Sequence, residues 1–332
     1  MPEPIDPNDL AEHAKWLAQA YDPGKQLVRF VRMTAEDYRA AAFLDDRIFD
    51  RQRDVRVMPW SDVAKAAAKL PNEARWIFHI GHVGSTMVAR MLGEVPDVLS
   101  VREPRILRDL ATLPSDQANS MAPVVGALCS RRFGDEGFAL VKATSFVSEI
   151  APLLAGPGQP LIFMHVSAPS YIATILAGEN SVKELHALHD YRAKRMADRV
   201  PAMAHAARSD AHRAAMSWAC EMTSLEAAAE AMPDRQILWL DFDRFLESPA
   251  SSLVQAAAHC GAEFSLEQAD AITSGPLMQR YSKALEYEYG PDLRSELQEE
   301  SRKLHGRDIQ AALAMLEDAA HSSTLLKRAL SR

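Results

Sequence analysis

Long apolar runs are missing from this chain: nowhere in its 332 residues is there a stretch of the roughly 18 apolar residues that a helix needs to cross a bilayer. Met1 to Pro7 lacks a basic region followed by an apolar core, so the expectation is a soluble, cytoplasmic protein without a membrane partner. Cysteine is scarce as well. Cys129, Cys220 and Cys260 are odd in number and far apart, which gives neither a disulfide framework nor a paired zinc motif and fits a reducing compartment. Basic residues are outnumbered, 37 Lys and Arg against 45 Asp and Glu, for a formal net charge of −8. Sequence-independent affinity for nucleic acid comes from basic side chains displacing counterions, so no nucleic-acid partner is expected and any anion site must be local. Internal repeats and low-complexity linkers are also lacking, as are a Gly-x-Ser-x-Gly elbow, a dinucleotide Gly-x-Gly-x-x-Gly and a His-Glu-x-x-His metal motif.

What remains is enough apolar residue, 48% of the chain, to bury a full core, and a single domain spanning 1–332 is the leading expectation. Residues 1–70 read as a lead-in: a helical opening, an edge or half-exposed strand at Gln26 to Met33, then Ala- and Asp-rich helical stretches. From Trp76 short apolar runs alternate with helix-sized segments, the pattern of a parallel sheet with crossover helices. The runs are Trp76–Ile80, Val98–Val101, Phe138–Val141, Leu161–Val166 and Ile237–Leu240. A helical insertion fills 179–232, broken at Pro201, with Met216, Ala219 and Cys220 on a packed face. A helical tail follows over 265–332.

The most informative stretch is Trp76 to Leu92, a buried strand, a glycine-bearing turn and a helix with two hydroxyls in its first turn. Unpaired amides of the turn and helix start, helped by the helix dipole, make an anion cradle there. A plain strand-to-helix turn is the simpler alternative. The Gly-x-x-x-x-Gly-Lys-Ser/Thr loop of nucleotide triphosphatases is absent, since Gly84 is followed by Ser85 and Thr86 without a lysine and His79 stands at the first glycine's place.

Gly81-His82-Val83-Gly84-Ser85-Thr86 resembles the 5′-phosphosulfate loop of the sulfotransferases, a lysine or arginine followed by Ser-Gly-Thr-Thr. His82 falls at the basic position. Phe138 to Thr144 is similar to that family's strand ending in lysine before a Thr-Pro-like turn. Leu161 to Pro169 lies where the family has a strand followed by Arg, a polar residue and Pro. Ile237 to Pro249 resembles its late Tyr-Glu-Asp-Leu…Asp-Pro segment. Together, in order, these segments span roughly residues 76 to 262.

The resemblance implies an α/β, P-loop NTPase-like three-layer domain with a parallel central sheet, using PAPS as co-substrate without a metal. In that scheme residues Gly81, His82, Val83, Gly84, Ser85 and Thr86 hold the 5′-phosphosulfate, and His82 and Lys142 stabilise charge on the leaving oxygen. Glu103, at the carboxyl end of a strand, takes the proton of a hydroxyl or amine acceptor, a small molecule or a carbohydrate. Its plainer alternative is an ion pair with Arg102 or Arg105. Two departures stand out. Ser167 occupies the place of the arginine that grips the 3′-phosphate of PAPS, leaving Arg280 and Lys283 in a late basic loop as replacement candidates, and His82 is a cation only when protonated.

Several residues read as bland. His79 is a hydrogen-bonded core histidine, His186 and His189 share a helix face without a metal partner, and Arg192, Lys194, Arg195 and Arg199 form a solvated basic face that guides an anionic substrate at most. Two rivals stay open. Asp241, ending an apolar run, is the form of a magnesium-holding strand of an ATP-dependent phosphotransferase, and the losses at Ser167 and His82 fit a non-catalytic scaffold of the same fold. The acceptor and the oligomeric state, a homodimer included, are not legible.

Overall fold

The computed structural model describes residues 5, 6, 9, 10, 13–50, 52–203, 208–279 and 290–332. Three strands come first, β1 (Trp16–Asp22), β2 (Leu27–Arg32) and β3 (Val55–Pro59), joined antiparallel in the order β1-β2-β3. The lead-in thus carries a three-stranded sheet beside its helices. The expected strand at 26–33 is real but lies in the middle of this small sheet rather than at an edge. β1 reads as helical because of its alanines, leucine and glutamine. Burial overrides that propensity: Trp16 to Tyr21 are all buried, and Gln19 is satisfied by Arg29 Nε donating to its Oε1 at 2.8 Å.

The five apolar runs become β4 (Arg75–His79), β5 (Val98–Arg102), β6 (Phe138–Lys142), β7 (Leu161–His165) and β8 (Ile237–Asp241). They pair in parallel in the order β5-β6-β4-β7-β8, with β4 central. β6 and β7 are buried along their whole length, which is why they read as continuous hydrophobic runs rather than alternating ones. Helices cover the sheet to give a three-layer α/β domain, and one buried apolar cluster runs from Ile5 to Ala329. Among the described residues no helix is long and apolar enough to cross a membrane.

The insertion is built from helices Glu179–Ala187, His189–Met196 and Asp210–Glu230 with a 3-10 turn at Pro201–Met203, so the expected break at Pro201 is present. Met216, Ala219 and Cys220 are buried as expected. His186 and His189, however, sit on different helices separated at Leu188, and His186 Nε2 lies 2.8 Å from Asp210. The basic series is likewise not a solvated face. Arg195 pairs with Glu221 at 2.8 Å and with Glu149 at 3.1 Å, Arg199 pairs with Glu149 at 2.9 Å, and only Lys194 of the four faces solvent. Burial works against the Arg195 charge, and Glu221, Cys220 and Glu149 around it together more than offset this, so its pKa is raised.

Glu221 is only 1% exposed as a side chain, so Arg195→Met leaves a buried carboxylate with Arg192, at 3.5 Å, as its remaining partner. The expected cost is about 3 kcal/mol, read by urea unfolding. The three thiols are buried and pushed up to about 12. Native protein at pH 8 is therefore expected to resist a disulfide-exchange reagent at all three positions and to react at all of them once unfolded.

Candidate active site

The site grows out of the parallel register. Lys142 of β6 stands opposite Ile77 of β4 on one side and Arg102 of β5 on the other. The ladder continues one step beyond β5, where the Glu103 amide donates to the Lys142 carbonyl at 2.8 Å. Glu103 and Lys142 therefore leave the sheet side by side at its carboxyl edge, where open parallel sheets bind ligands. Their side chains form a tight ion pair. Lys142 Nζ also donates to Thr86 Oγ1 at 3.1 Å, and Thr144 Oγ1 lies 3.5 Å from the other Glu103 oxygen. The lysine is 1% exposed and the glutamate 9%. Neither Arg102 nor Arg105 is the partner of Glu103: Arg102 donates to the carbonyls of Ser100 and Ala41, and Arg105 pairs with Asp46 and Asp109.

Thr86 belongs to the helix Ser85–Leu92 that follows β4. Gly84 precedes it in the left-handed region at φ 62°, and as a glycine it has no side chain to cap the helix. The first amides of the helix are then left to whatever occupies the turn. Before it, Gly81 (φ 80°) and His82 (φ 54°) are also left-handed. The bend at Gly81 is held from below: its amide donates to His79 Nδ1 at 2.9 Å, and His79 Nε2 lies 2.8 Å from the Ala143 carbonyl. With Nδ1 accepting, Nε2 carries the proton, so this buried ring is a neutral spacer between the loop and β6. His79 is thus the hydrogen-bonded core residue expected, with the added task of shaping the cradle. Glu103, at φ 52°, is the other non-glycine residue of the site held in this sparsely populated region. Such strain gathers at functional positions.

Gly81 to Thr86, His79, Glu103, Lys142 and Thr144 all open onto one cavity of ≈ 970 Å³. Helices of the insertion, the residues near Phe242, and the stretch from Gly290 to Leu297 make its other walls. Among the described residues its lining carries five cations, Arg47, Arg108, Lys142, Arg192 and Arg294, against two carboxylates, Glu103 and Glu184. In a chain of net charge −8 that is a local reversal of sign, suited to an anionic ligand. The Phe242 ring closes one side of the cradle, lying where a side chain on Gly84 would be, but the turn still faces the cavity.

The structure brings together most of the residues expected from the sequence. His82 points toward the insertion, with Nε2 3.9 Å from Glu184 and its ring 6.3 Å from that of Tyr171. Ser167 is different: it is exposed, its hydroxyl caps the helix Ala168–Leu176, and it is not among the residues lining the cavity. Arg280 and Lys283 lie outside the described residues. Asp241 does not face the cavity either. Its carboxylate caps the helix Phe242–Glu247 by accepting from the amides of Asp243 at 2.8 Å and Arg244 at 3.4 Å, so the feature that favoured a magnesium-holding strand is used for capping.

Sequence reasoning missed Arg294 and Phe242. Arg294 pairs with Asp243 at 2.8 Å and sits 5.3 Å from the Phe242 ring centre. A signal for it exists: Gly290-Pro291 starts a helix, and an arginine in that first turn opposes the helix dipole, which marks a side chain placed there for another reason. Arg192 was seen only as part of a solvated face.

No known protein-family model and no curated protein matches the chain. Among solved structures it is similar to a sulfotransferase domain from the curacin biosynthetic pathway, at 11% identity and a TM-score of 0.41, over 75% of this chain and 98% of that one. It is also similar to a sulfotransferase from Alicyclobacillus acidocaldarius, at 16% identity and a TM-score of 0.35, over 76% of this chain and 96% of that one. A third is a retinol dehydratase solved with androsterone and the inactive cofactor PAP, at 10% identity and a TM-score of 0.35, over 81% of this chain and 90% of that one. At such identities and scores, what the site does has to be read from its own residues.

Gly84→Ala places a Cβ 2.0 Å from Phe242 Cζ at a left-handed φ. The expected loss is about 2 kcal/mol or more. In the double variant with Phe242→Ala the two losses should be less than additive, as a double-mutant unfolding cycle will show.

Proposed function

We propose that this chain is a divergent sulfotransferase, transferring a sulfuryl group from PAPS to a hydroxyl or amine acceptor. One observation carries the reading: an anion cradle and a buried lysine–carboxylate pair open onto the same cation-rich cavity, joined by the Lys142–Thr86 contact. The residues fit the donor. The first amides of the Ser85–Leu92 helix, the hydroxyls of Ser85 and Thr86 and the Lys142 ammonium would hold its phosphosulfate end. PAPS, when bound, supplies an activated sulfuryl group with a nucleotide as leaving group.

The chain's own residues then divide the work. Lys142 neutralises charge that builds on the leaving oxygen, and the amides of the cradle add fixed dipoles aimed at the same place. Glu103 takes the proton of the acceptor as its oxygen or nitrogen bonds to sulfur and the bond to the nucleotide breaks. In the free protein Glu103 and Lys142 neutralise each other. An anion entering the cradle competes with Glu103 for Lys142 and so releases the carboxylate for its role as base. His82 adds a conditional cation beside Glu184. Since Ser167 does not line the cavity, the lining cations available among the described residues to grip a 3′-phosphate are Arg47, Arg108, Arg192 and Arg294. The apolar part of the lining, including Phe43, Phe146, Leu188, Tyr191 and Met278, favours an acceptor with an apolar body over a carbohydrate.

The competition makes two variants move in opposite directions. In calorimetric titrations with PAP, Lys142→Met is expected to weaken binding at least ten-fold, whereas Glu103→Gln leaves it unchanged or tightens it. With labelled PAPS and an acceptor panel, Glu103→Gln should slow transfer by about 10²–10⁴-fold. If PAP gives no heat while ATP with magnesium raises the melting temperature, the phosphotransferase reading replaces this one. If no nucleotide binds, the fold serves as a scaffold.

A further inference from the structure

A second cavity, of ≈ 380 Å³, lies at the far end of the Ser85–Leu92 helix, between edge strand β5, the helix Ala35–Ala40 and the loop around Phe133. Arg39, Arg90, Arg102 and Arg132 all reach its wall. None of the four has a carboxylate within 4.0 Å among the described residues. Arg102 is 1% exposed and spends its donors on backbone carbonyls, with Nη1 3.2 Å from Ser100 O and Nε 3.0 Å from Ala41 O. Arg90 Nη1 and Arg132 Nε are buried with no hydrogen-bond partner among the described residues, while Arg132 Nη2 donates to the Asp135 carbonyl at 2.8 Å. The carboxylates that line the cavity, Glu94, Asp97, Asp135 and Glu136, belong to exposed residues at its rim.

Buried guanidinium donors without a hydrogen-bonded counter-charge are costly, and Arg102 also lies in the field of Arg90: burial first and then Arg90 hold the Arg102 pKa down, to about 9, with only the more distant Glu94 opposing them. A small oxyanion between them would supply both the missing charge and acceptors for the orphaned donors. We infer that this cavity is a second anion-binding site, separate from the cradle, which takes the carboxylate or phosphate group of a small molecule between Arg90, Arg102 and Arg132. The acidic rim then faces the ligand's other end and favours one bearing hydroxyl or cationic groups there. The inference does not depend on what the cradle binds.

The test titrates the full chain with inorganic phosphate and, separately, with acetate, at ionic strength held constant by sodium chloride. A saturable signal for at least one of them is expected, with Arg90→Gln and Arg132→Gln each raising its apparent Kd at least ten-fold. Neither variant should alter PAP binding. Phosphate taken up by the cradle instead is told apart because it is lost in Lys142→Met and retained in the two arginine variants. Should Arg90→Gln fail to fold, the half-buried Arg132→Gln gives the same readout. A response that both arginine variants preserve, or that chloride alone reproduces, overturns the inference.

Discussion

The row of parallel pairing through Ile77, Lys142 and Arg102 is the constraint on which the site depends. Side chains alternate along a strand, so a slip of one residue in β6 would turn Lys142 to the opposite face and leave Glu103 without its partner. The same register sets the distance between β6 and the helix after β4, which is how Thr86 comes within reach of Lys142 Nζ. Covering helices make that register binding. With β6 and β7 buried on both faces, any slip would expose apolar surface on one side and bury polar groups on the other.

Charge is distributed unevenly on this scaffold. The acidic excess lies mostly on the surface, while cations are drawn inward and met in three ways. Arg195 and Arg199 are matched by Glu221 within the insertion and by Glu149, which ties the insertion to the body of the domain. Lys142 is matched by Glu103, but next to an open cavity, so the match is replaceable. Arg90 and Arg132 have donors that nothing in the described chain satisfies. Passing from the first group to the last, the protein's own compensation falls and the case for an external anion rises. Backbone strain at His82 and Glu103 lies in the second of these regions, where it holds one residue of the cradle and the carboxylate beside it in place.

Much of this was legible in local pattern. The five runs that became β4 to β8 are apolar enough to be read without structure, and the turn at Gly84 followed by Ser85 and Thr86 announces a helix start with donors to spare. Lys142 and Glu103 could be named because each ends such a run. Their pairing could not, since the partners are 39 positions apart and nothing local distinguishes Lys142 from Arg102 or Arg105 as the neighbour of Glu103. Ser167 and Asp241 were misplaced for a related reason: a polar residue just after a strand is equally suited to a ligand and to capping the helix that follows. Strand β1 and the buried arginines of the insertion were misread because both depend on what covers them.

By itself, then, the amino-acid order determined the kinds of elements in the core and the glycine-bearing turn before the Ser85–Leu92 helix, because periodicity and glycine placement are properties of neighbours along the chain. Only the tertiary structure decided which charges meet, which capping residues are spent on helices, and that cations of opposite fates line two separate cavities. Those outcomes depend on distance and burial between residues far apart in order, and the strength of an ion pair, unlike a turn, is set almost wholly by its surroundings.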